Sequence, residues 1–201
     1  AGIAVKCAVL KQYQDKSLDK IRVYWLDETC WKKQTIPALE SYEGSYPQEE
    51  NEIMLGMNTL KAMGIQNPEI GMKLPITYST LADDSNEELL ENEFVLSGWY
   101  TDYSGDKRGY ISEGFFKATG VKQTDFTQGT LKITLKNPFY SEKDIIEMQN
   151  AIDLDGNQLI DADYDTISNF CKIVAGLIIM LFMIFASGYL FIYNTLYISI
   201  S

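Results

Sequence analysis

The chain contains no histidine and only three cysteines, and these shortages exclude several classes of enzyme. Without imidazole there is no Ser–His or Cys–His nucleophile pair, no histidine-ligated zinc and no histidine acid–base chemistry. The cysteines, Cys7, Cys30 and Cys171, show no CxxC spacing of a metal-binding or redox motif. Cys7 and Cys30 could form a disulfide in an extracytoplasmic domain, but the sequence favours two buried free thiols.

Charge is missing from the C-terminal segment, Ile173 to Ser201, although the chain has 28 acidic and 17 basic residues. The most apolar part, Ile173 to Tyr193, would be roughly 31 Å long as a helix, close to the thickness of a bilayer's hydrocarbon core. A buried core helix is the alternative, but such helices are usually shorter. We therefore predict a transmembrane helix at 169–201.

Residues within this apolar segment indicate its surroundings. Tyr189, Tyr193 and Tyr197 suit the far membrane interface, where a tyrosine ring is apolar and its hydroxyl is wet; core aromatics are the alternative. Small residues on one helical face, such as Ala175 and Ala186, would let other transmembrane helices approach closely. The chain begins with Ala1 and shows no signal peptide, so we expect it to be a fragment of a longer protein.

The remaining residues, 1–168, are enough for one domain with a substantial core. The net charge of −11 lies wholly outside the charge-free segment, in residues 1–172, and argues against nucleic acid as a partner. Strands and short helices alternate irregularly, which predicts an α+β fold with a mixed sheet. Strands are predicted at 3–10, 21–26, 73–78, 93–100 and 129–135, and 52–55 is either a short strand or the lead into a helix. Helices are predicted at 58–63, ending at Gly64, at 112–119, with Ser112 as its N-cap, and at 141–152, with Ser141 as its cap.

Several local signals refine this prediction. Pro75 indicates an edge strand, because proline cannot donate a ladder hydrogen bond. Gly98 indicates a bulge or a close backbone approach. The alternating pattern of 129–135 predicts a half-buried strand. We expect 31–46 to be a loop and the acidic stretch 83–93 to be a solvated hairpin tip.

One stretch resembles the front half of a calcium-binding EF-hand loop, with oxygen ligands at Asp153, Asp155, Asn157 and Asp161. The pattern then fails, because Gln158 replaces the turn glycine and Tyr164 replaces the bidentate glutamate. We therefore expect an acidic linker that does not bind calcium. The sequence predicts no metal site, no cofactor and no catalytic residue.

Other charged and aromatic features favour ordinary structural roles. The run 105–109, Gly-Asp-Lys-Arg-Gly, lacks the Walker spacing of a phosphate-binding loop. The acidic clusters at 49–52 and 83–88 could suggest acid–base chemistry, but acidic loops are usually solvated. Core packing is favoured over a binding groove for the three tryptophans, which are Trp25, Trp31 and Trp99.

Four segments in this order resemble one family. They are 46–65 (beginning Tyr-Pro-Gln-Glu-Glu-Asn-Glu-Ile-Met-Leu), 68–74 (Pro-Glu-Ile-Gly-Met-Lys-Leu), 94–100 (Phe-Val-Leu-Ser-Gly-Trp-Tyr) and 188–201, which ends the apolar helix. Together they resemble the FtsX-like permeases of bacterial ABC transporters, in particular the MacB-type extracytoplasmic core domain and the helix after it. The resemblance covers nearly the whole chain.

This resemblance implies a function without enzyme activity on this chain. Residues 1–168 would lie outside the cytoplasm and bind a peptide, lipid or protein partner. Residues 169–201 would cross the cell membrane and pack with other transmembrane helices of the permease. A separate ABC ATPase subunit would hydrolyse ATP. The alternative hypothesis is a membrane-anchored extracytoplasmic hydrolase or adhesin, which the absence of histidine and the broken calcium pattern disfavour.

Overall fold

The computed structural model describes residues 1–80, 89–123, 128–133, 142–152 and 164–200. The chain divides into two compact units, Ala1–Thr134 and Leu135–Ser201. The described part of the first unit holds a mixed sheet with short helices, and that of the second holds two helices. The second helix is apolar and long enough to span a membrane. The predicted α+β class with one C-terminal candidate span is therefore confirmed.

The first unit contains eight described strands and two short α-helices. The strands are β1 (Gly2–Tyr13), β2 (Lys16–Leu26), β3 (Leu39–Gly44), β4 (Glu52–Gly56), β5 (Lys73–Thr80), β6 (Leu89–Asp102), β7 (Arg108–Ile111) and β8 (Gly129–Lys132). The helices are α1 (Met57–Met63) and α2 (Glu113–Ala118). A π-helical turn, Cys30–Thr35, and a 3₁₀ turn, Ile36–Ala38, separate β2 from β3.

The strand pairings form a closed circuit. The order along the sheet is β2-β7-β4-β6-β5-β1-β8, and β1 also pairs with β2, which closes a ring of six strands. β3 and β8 are added to this ring through β6 and β1. The pairs β2–β7 and β4–β6 are parallel, and the other pairs are antiparallel. Closing the ring leaves fewer unpaired strand edges than an open sheet of the same size would have.

The sheet is apolar on both faces, and each face has its own core. Along β4, Ile53 and Leu55 belong to the larger cluster, whereas Met54 between them belongs to the smaller one. This follows from the alternation of side chains in a strand. Leu60 of α1 and Phe115 of α2 pack in the larger cluster. The smaller cluster, on the opposite face, is here called the aromatic cluster because it contains the rings of Trp31, Tyr100 and Tyr110.

Several sequence predictions are confirmed in detail. Gly64 ends α1 in the left-handed conformation with φ +86°, as glycine does after many helices. Ser112 caps α2, since its Oγ accepts a hydrogen bond from the backbone N–H of Phe115 at 3.1 Å. At Gly98 the register between β4 and β6 shifts, and a Cβ would lie 2.4 Å from the carbonyl oxygen of Glu43. Both the predicted bulge and the close approach are therefore present.

The predicted loop at 31–46 is wrong. This segment contains most of the π-helical turn, the 3₁₀ turn and all of β3. Neither turn has the 3.6-residue period by which α-helices are found in sequence. β3 shows no alternation of burial because it is largely exposed and forms by pairing with the long strand β6.

Pro75 does not mark an edge strand, because β5 lies between β6 and β1. The proline is tolerated because β1 pairs only with Ile76 to Thr80, so at Pro75 the strand has β6 as its paired neighbour. The acidic stretch 83–93 is also partly corrected, since β6 begins at Leu89. Residues 83–88 lie outside the described residues.

The strand predicted at 129–135 is present as β8, but the prediction of half-burial is wrong. Leu131 is 60% exposed and Ile133 is 52% exposed. Alternation gives a strand two faces, but burial of the apolar face requires a covering layer from elsewhere in the chain. No described residue supplies that layer here. Residues 134 and 135 lie outside the described part.

The second unit contains α3 (Glu142–Ala151) and α4 (Tyr164–Ile200). The predicted helix at 141–152 is thus confirmed, while its proposed cap, Ser141, lies outside the described residues. The EF-hand-like positions 153–163 also lie outside them. The boundary between domain and membrane helix at 168/169 stays a prediction; the helical backbone of α4 already begins at Tyr164.

Candidate functional site

A cleft with a volume of about 360 Å³ opens on the sheet face that carries the aromatic cluster. β1, β2, β7 and β8 contribute to its walls, together with Thr35 from the π-helical turn and the loop before β7. Four of its lining side chains are cationic, and one is acidic. These five, here called the cationic cleft residues, are Arg22, Lys107, Arg108, Lys132 and Asp106.

The sheet register places two arginines side by side. In the parallel β2–β7 pair, Arg22 is the Cα partner of Arg108, and Tyr24 is the partner of Tyr110. Partners in adjacent strands carry their side chains on the same face. The cleft therefore has two arginines in one row and two tyrosines in the next. Arg22 and Arg108 are the only arginines in the chain.

One of the two arginines has an acidic partner. The Arg108 guanidinium forms an ion pair and a hydrogen bond with the Asp106 carboxylate. Partial burial alone would lower the pKa of Arg108, but the hydrogen bond and charge of Asp106 outweigh it and raise the pKa. Arg108 therefore stays charged. No described side chain forms an ion pair with Arg22, Lys107 or Lys132.

The floor of the cleft is fixed by aromatic packing. Tyr110 contacts Trp31 with ring centroids 5.5 Å apart and Tyr100 at 5.1 Å, and Trp31 contacts Tyr46 at 5.0 Å. The Tyr46 hydroxyl accepts a hydrogen bond from the N–H of Leu26 at 2.8 Å and donates to the Ile111 carbonyl at 3.0 Å. Burial raises the pKa of Tyr46 and of Tyr110, so both hydroxyls stay neutral.

The cysteines and tryptophans behave as the sequence favours. Cys7 and Cys30 are buried free thiols, and burial raises the pKa of Cys7 to about 12. A thiol with so high a pKa is a poor nucleophile at neutral pH.

Trp25 and Trp31 are buried in the two cores, and Trp99 packs against the larger one. Core packing is therefore confirmed for the tryptophans.

The acidic positions that the structure describes form no metal site. Glu52 uses its carboxylate to accept hydrogen bonds from the backbone N–H groups of Gln48 at 2.7 Å and Glu49 at 3.1 Å, which stabilises the turn before β4. Among the described residues, no group of three or more His, Cys, Asp or Glu side chains is placed to hold a metal ion.

The apolar helix α4 is the second feature with functional meaning. Its candidate span, Lys172–Ser199, is 28 residues long and exposed throughout, except at half-buried Ala186. Tyr189, Tyr193 and Tyr197 stack along one face, with successive ring centroids 6.4 and 6.3 Å apart. These tyrosines therefore do not pack in a core formed by the described residues.

Sequence reasoning missed the cationic cleft because its members lie far apart along the chain. The run 105–109 contains Asp106, Lys107 and Arg108, but its local spacing shows only that it is not a Walker loop. The available signal was the rarity of arginine, since a chain with 17 basic residues uses arginine only twice. Only the β2–β7 register shows that those two residues are neighbours.

Comparison with protein-family models gave no match, and comparison with curated proteins gave no significant one. Among solved structures, the chain is similar to the periplasmic region of MacB from Actinobacillus actinomycetemcomitans, with 16% identity and a TM-score of 0.39. That similarity covers 74% of this chain and 65% of the MacB structure. This chain therefore matches less than two thirds of the length of that structure.

A second similar structure is a domain assigned to a permease protein from Porphyromonas gingivalis. It has 11% identity and a TM-score of 0.35, and the similarity covers 75% of this chain and 69% of the other. Similarities with TM-scores this low do not assign a function.

Proposed function

We propose that this chain is the outer domain and the following membrane helix of an ABC transporter permease subunit. The observation that carries the proposal is α4, whose 28-residue candidate span is apolar and exposed. The four family-like sequence segments support the same assignment. In this proposal residues 1–168 lie outside the cytoplasm, and residues 169–201 cross the cell membrane.

The exposure of α4 argues for lipid or other membrane helices around it. Aliphatic side chains such as Leu181 and Ile184, 56% and 60% exposed, cover the helix on all sides. A helix that is apolar all round is stable only when it is buried, either in a large protein core or in a membrane. No described residue provides such a core, so the bilayer is the best solvent for this helix.

The polar groups of the span are compatible with a bilayer. The Ser187 hydroxyl donates to the carbonyl of Ile184 at 2.9 Å, and the Thr195 hydroxyl donates to the carbonyl of Phe191 at 2.8 Å. These hydroxyls therefore have partners within the helix, as a hydrocarbon environment requires. The stacked tyrosines 189, 193 and 197 suit the far interface.

In the proposed mechanism, α4 connects the domain mechanically to the membrane part of the transporter. The separate ATPase subunit drives the other transmembrane helices, and the outer domain binds a peptide, lipid or protein partner. The helical backbone of α4 starts at Tyr164, before the apolar part begins at Ile173. A continuous helix is stiffer than a flexible linker and so transmits displacement better.

The location of the domain can be tested by labelling with a membrane-impermeant thiol reagent in intact cells. Tyr103 is 80% exposed, so we expect a Tyr103→Cys variant to be labelled without lysis. Cys171→Ser removes the cysteine nearest the span, while Cys7 and Cys30 are buried and should stay silent. Labelling that occurs only after lysis would place the domain in the cytoplasm and contradict the proposal.

The mechanical role can be tested in the intact transporter with a ten-residue Gly/Ser insert between Asp165 and Phe170. The insert breaks the continuous helix and behaves as a random coil. We expect membrane insertion and basal ATP hydrolysis to be retained and transport to be lost. A matched insert between Gln66 and Asn67, which are both exposed in the loop before β5, should leave transport unchanged. Wild-type transport with the first insert would argue against coupling through α4.

Co-purification tests the family assignment. If the tagged intact protein is isolated from its own membrane in mild detergent, we expect an ABC ATPase subunit to accompany it. Isolation of a labelled, extracytoplasmic domain without any ATPase would favour the alternative, a membrane-anchored hydrolase or adhesin.

A further inference from the structure

The structure assigns a phosphate-binding role to the cationic cleft, and we propose that it binds the phosphate group of a soluble phosphomonoester. The cleft lies wholly within the unit Ala1–Thr134, so this proposal does not depend on the transporter assignment. It is argued from charge, register and packing of the cationic cleft residues.

The charge of the cleft is opposite to that of the chain. The chain has a net charge of −11, yet the cleft gathers four cationic side chains and one carboxylate. Asp106 is paired with Arg108, which leaves Arg22, Lys107 and Lys132 without an ion pair to any described side chain. Concentrating like charges costs folding free energy, and a bound anion would offset this cost.

The stability of the sheet does not explain why the two arginines are adjacent. Like charges directly opposite each other on neighbouring strands destabilise a sheet, and Arg22 and Arg108 occupy such positions. Arginine presents planar, bidentate donors that match phosphate and carboxylate oxygens. Its only two occurrences in the chain form one pair, facing one cleft.

The number of charges favours phosphate over a single carboxylate. A phosphomonoester carries about −1.5 to −2 charges at neutral pH and has three strong acceptor oxygens. That charge balances most of the three cations that have no ion pair to a described side chain, whereas one carboxylate would balance only one of them. The Tyr110 hydroxyl is neutral and adds no opposing negative charge to the floor.

The cleft is also large and rigid enough for a ligand beyond the phosphate itself. Its volume of about 360 Å³ is within the range of small-molecule sites. Contacts of Tyr110 with Trp31 and Tyr100 hold the floor in place, which reduces the entropy lost on binding. The binding group would therefore be the phosphate, with the rest of the molecule against Tyr24 and Thr130.

The test uses the full chain in a nonionic detergent at low ionic strength, with isothermal titration calorimetry as the readout. The probes are inorganic phosphate, glycerol 3-phosphate, succinate, and micelles with or without phosphatidic acid. We expect glycerol 3-phosphate to bind with a Kd of about 1 mM or tighter. Binding should weaken as salt is added, because exposed charges are screened.

Variants distinguish a specific binding site from non-specific electrostatic attraction. Arg22→Gln should weaken binding by about tenfold or more, since it removes charge-assisted hydrogen bonds. Arg22→Lys should retain only part of the wild-type affinity, because lysine lacks the bidentate fork of arginine. The control is Lys33→Gln, an exposed lysine outside the cleft, which should bind like the wild type. Intrinsic tryptophan fluorescence would verify that each variant is folded.

Each other outcome overturns the proposal. No heat of binding at about 10 mM of either phosphate probe, well above the expected Kd, means that the cleft is only a charged surface. Equal losses for Arg22→Gln and Lys33→Gln indicate non-specific attraction. Tighter binding of succinate identifies a carboxylate site instead. Binding of phosphatidic acid without binding of glycerol 3-phosphate identifies a lipid headgroup and not a soluble ligand.

Discussion

The core of the first unit and the helix α4 use the same aliphatic residues, yet their exposure is opposite. Leu55 and Ile53 in β4 are 0% exposed, whereas Leu181 and Ile179 in α4 are 56% and 60% exposed. The strand is covered on both faces by the protein, and the helix is not. Residue type therefore indicates that a segment is removed from water. The rest of the fold determines whether protein covers that segment.

The two regions also differ in what their aromatic residues do. In the sheet, Trp31, Tyr46 and Tyr110 contact one another, and Tyr110 lines the cationic cleft. In α4, tyrosines stack along the outside of one helix. Packed aromatics fix the position of neighbouring groups, whereas exposed ones can serve as anchors at a membrane interface.

Shortening one leucine in each region should give the largest difference between the core and α4. Leu55→Ala should destabilise the domain by about 2–5 kcal/mol, because it leaves a cavity in a closed core. Leu181→Ala should leave the domain's stability unchanged. Urea unfolding followed by tryptophan fluorescence measures this cleanly, since all three tryptophans lie in the first unit. Equal effects would mean that α4 is part of the domain's core.

A charge placed in each region tests which solvent surrounds it. Leu181→Lys should make the free energy of membrane insertion less favourable by about 3 kcal/mol, as lysine does at the centre of a span. Leu131→Lys, on the exposed face of β8, should have little effect on insertion or folding. The fraction of chain that resists carbonate extraction from membranes reports insertion. If both lysine variants remain fully inserted, α4 does not lie in the hydrocarbon core.

The buried thiol of Cys7 predicts a loss of stability in alkaline solution. Its pKa is about 12 in the folded state, against an ordinary value of 9.0, because burial disfavours the thiolate. The unfolded state therefore releases this proton first, and stability falls as pH rises from 9 towards 12. At pH 10 the loss should be about 1.4 kcal/mol. Cys7→Ala should flatten this slope; an unchanged slope would show that Cys7 is not the cause.

The smallest expected effect concerns a helix end in the first unit. Ser112→Ala should cost about 1 kcal/mol, because the Phe115 N–H loses its hydrogen-bond acceptor. Ser41→Ala, at an exposed position in β3, is the matched control and should change stability by less than about 0.5 kcal/mol. Chemical denaturation of both variants measures the difference, and equal stabilities would show that the cap contributes nothing.

Much of the fold could be predicted from local sequence. The strands containing Ile21 and Phe94, the helix stop at Gly64 and the cap at Ser112 depend on nearby residues alone, and all are present. The predictions that failed depend on distant partners. β3 exists because β6 extends beside it, and Pro75 is tolerated because β1 ends at that level.

The amino-acid sequence is enough to predict that α4 is apolar all round and that the rest of the chain forms an α+β domain. The cationic cleft is visible only in the folded chain, because Arg22, Arg108 and Lys132 come from three separate strands. The register that pairs the two arginines is set by the whole ring of strands. Hydrophobicity acts through local composition, whereas a site made of single charges depends on which distant residues the closed sheet brings together.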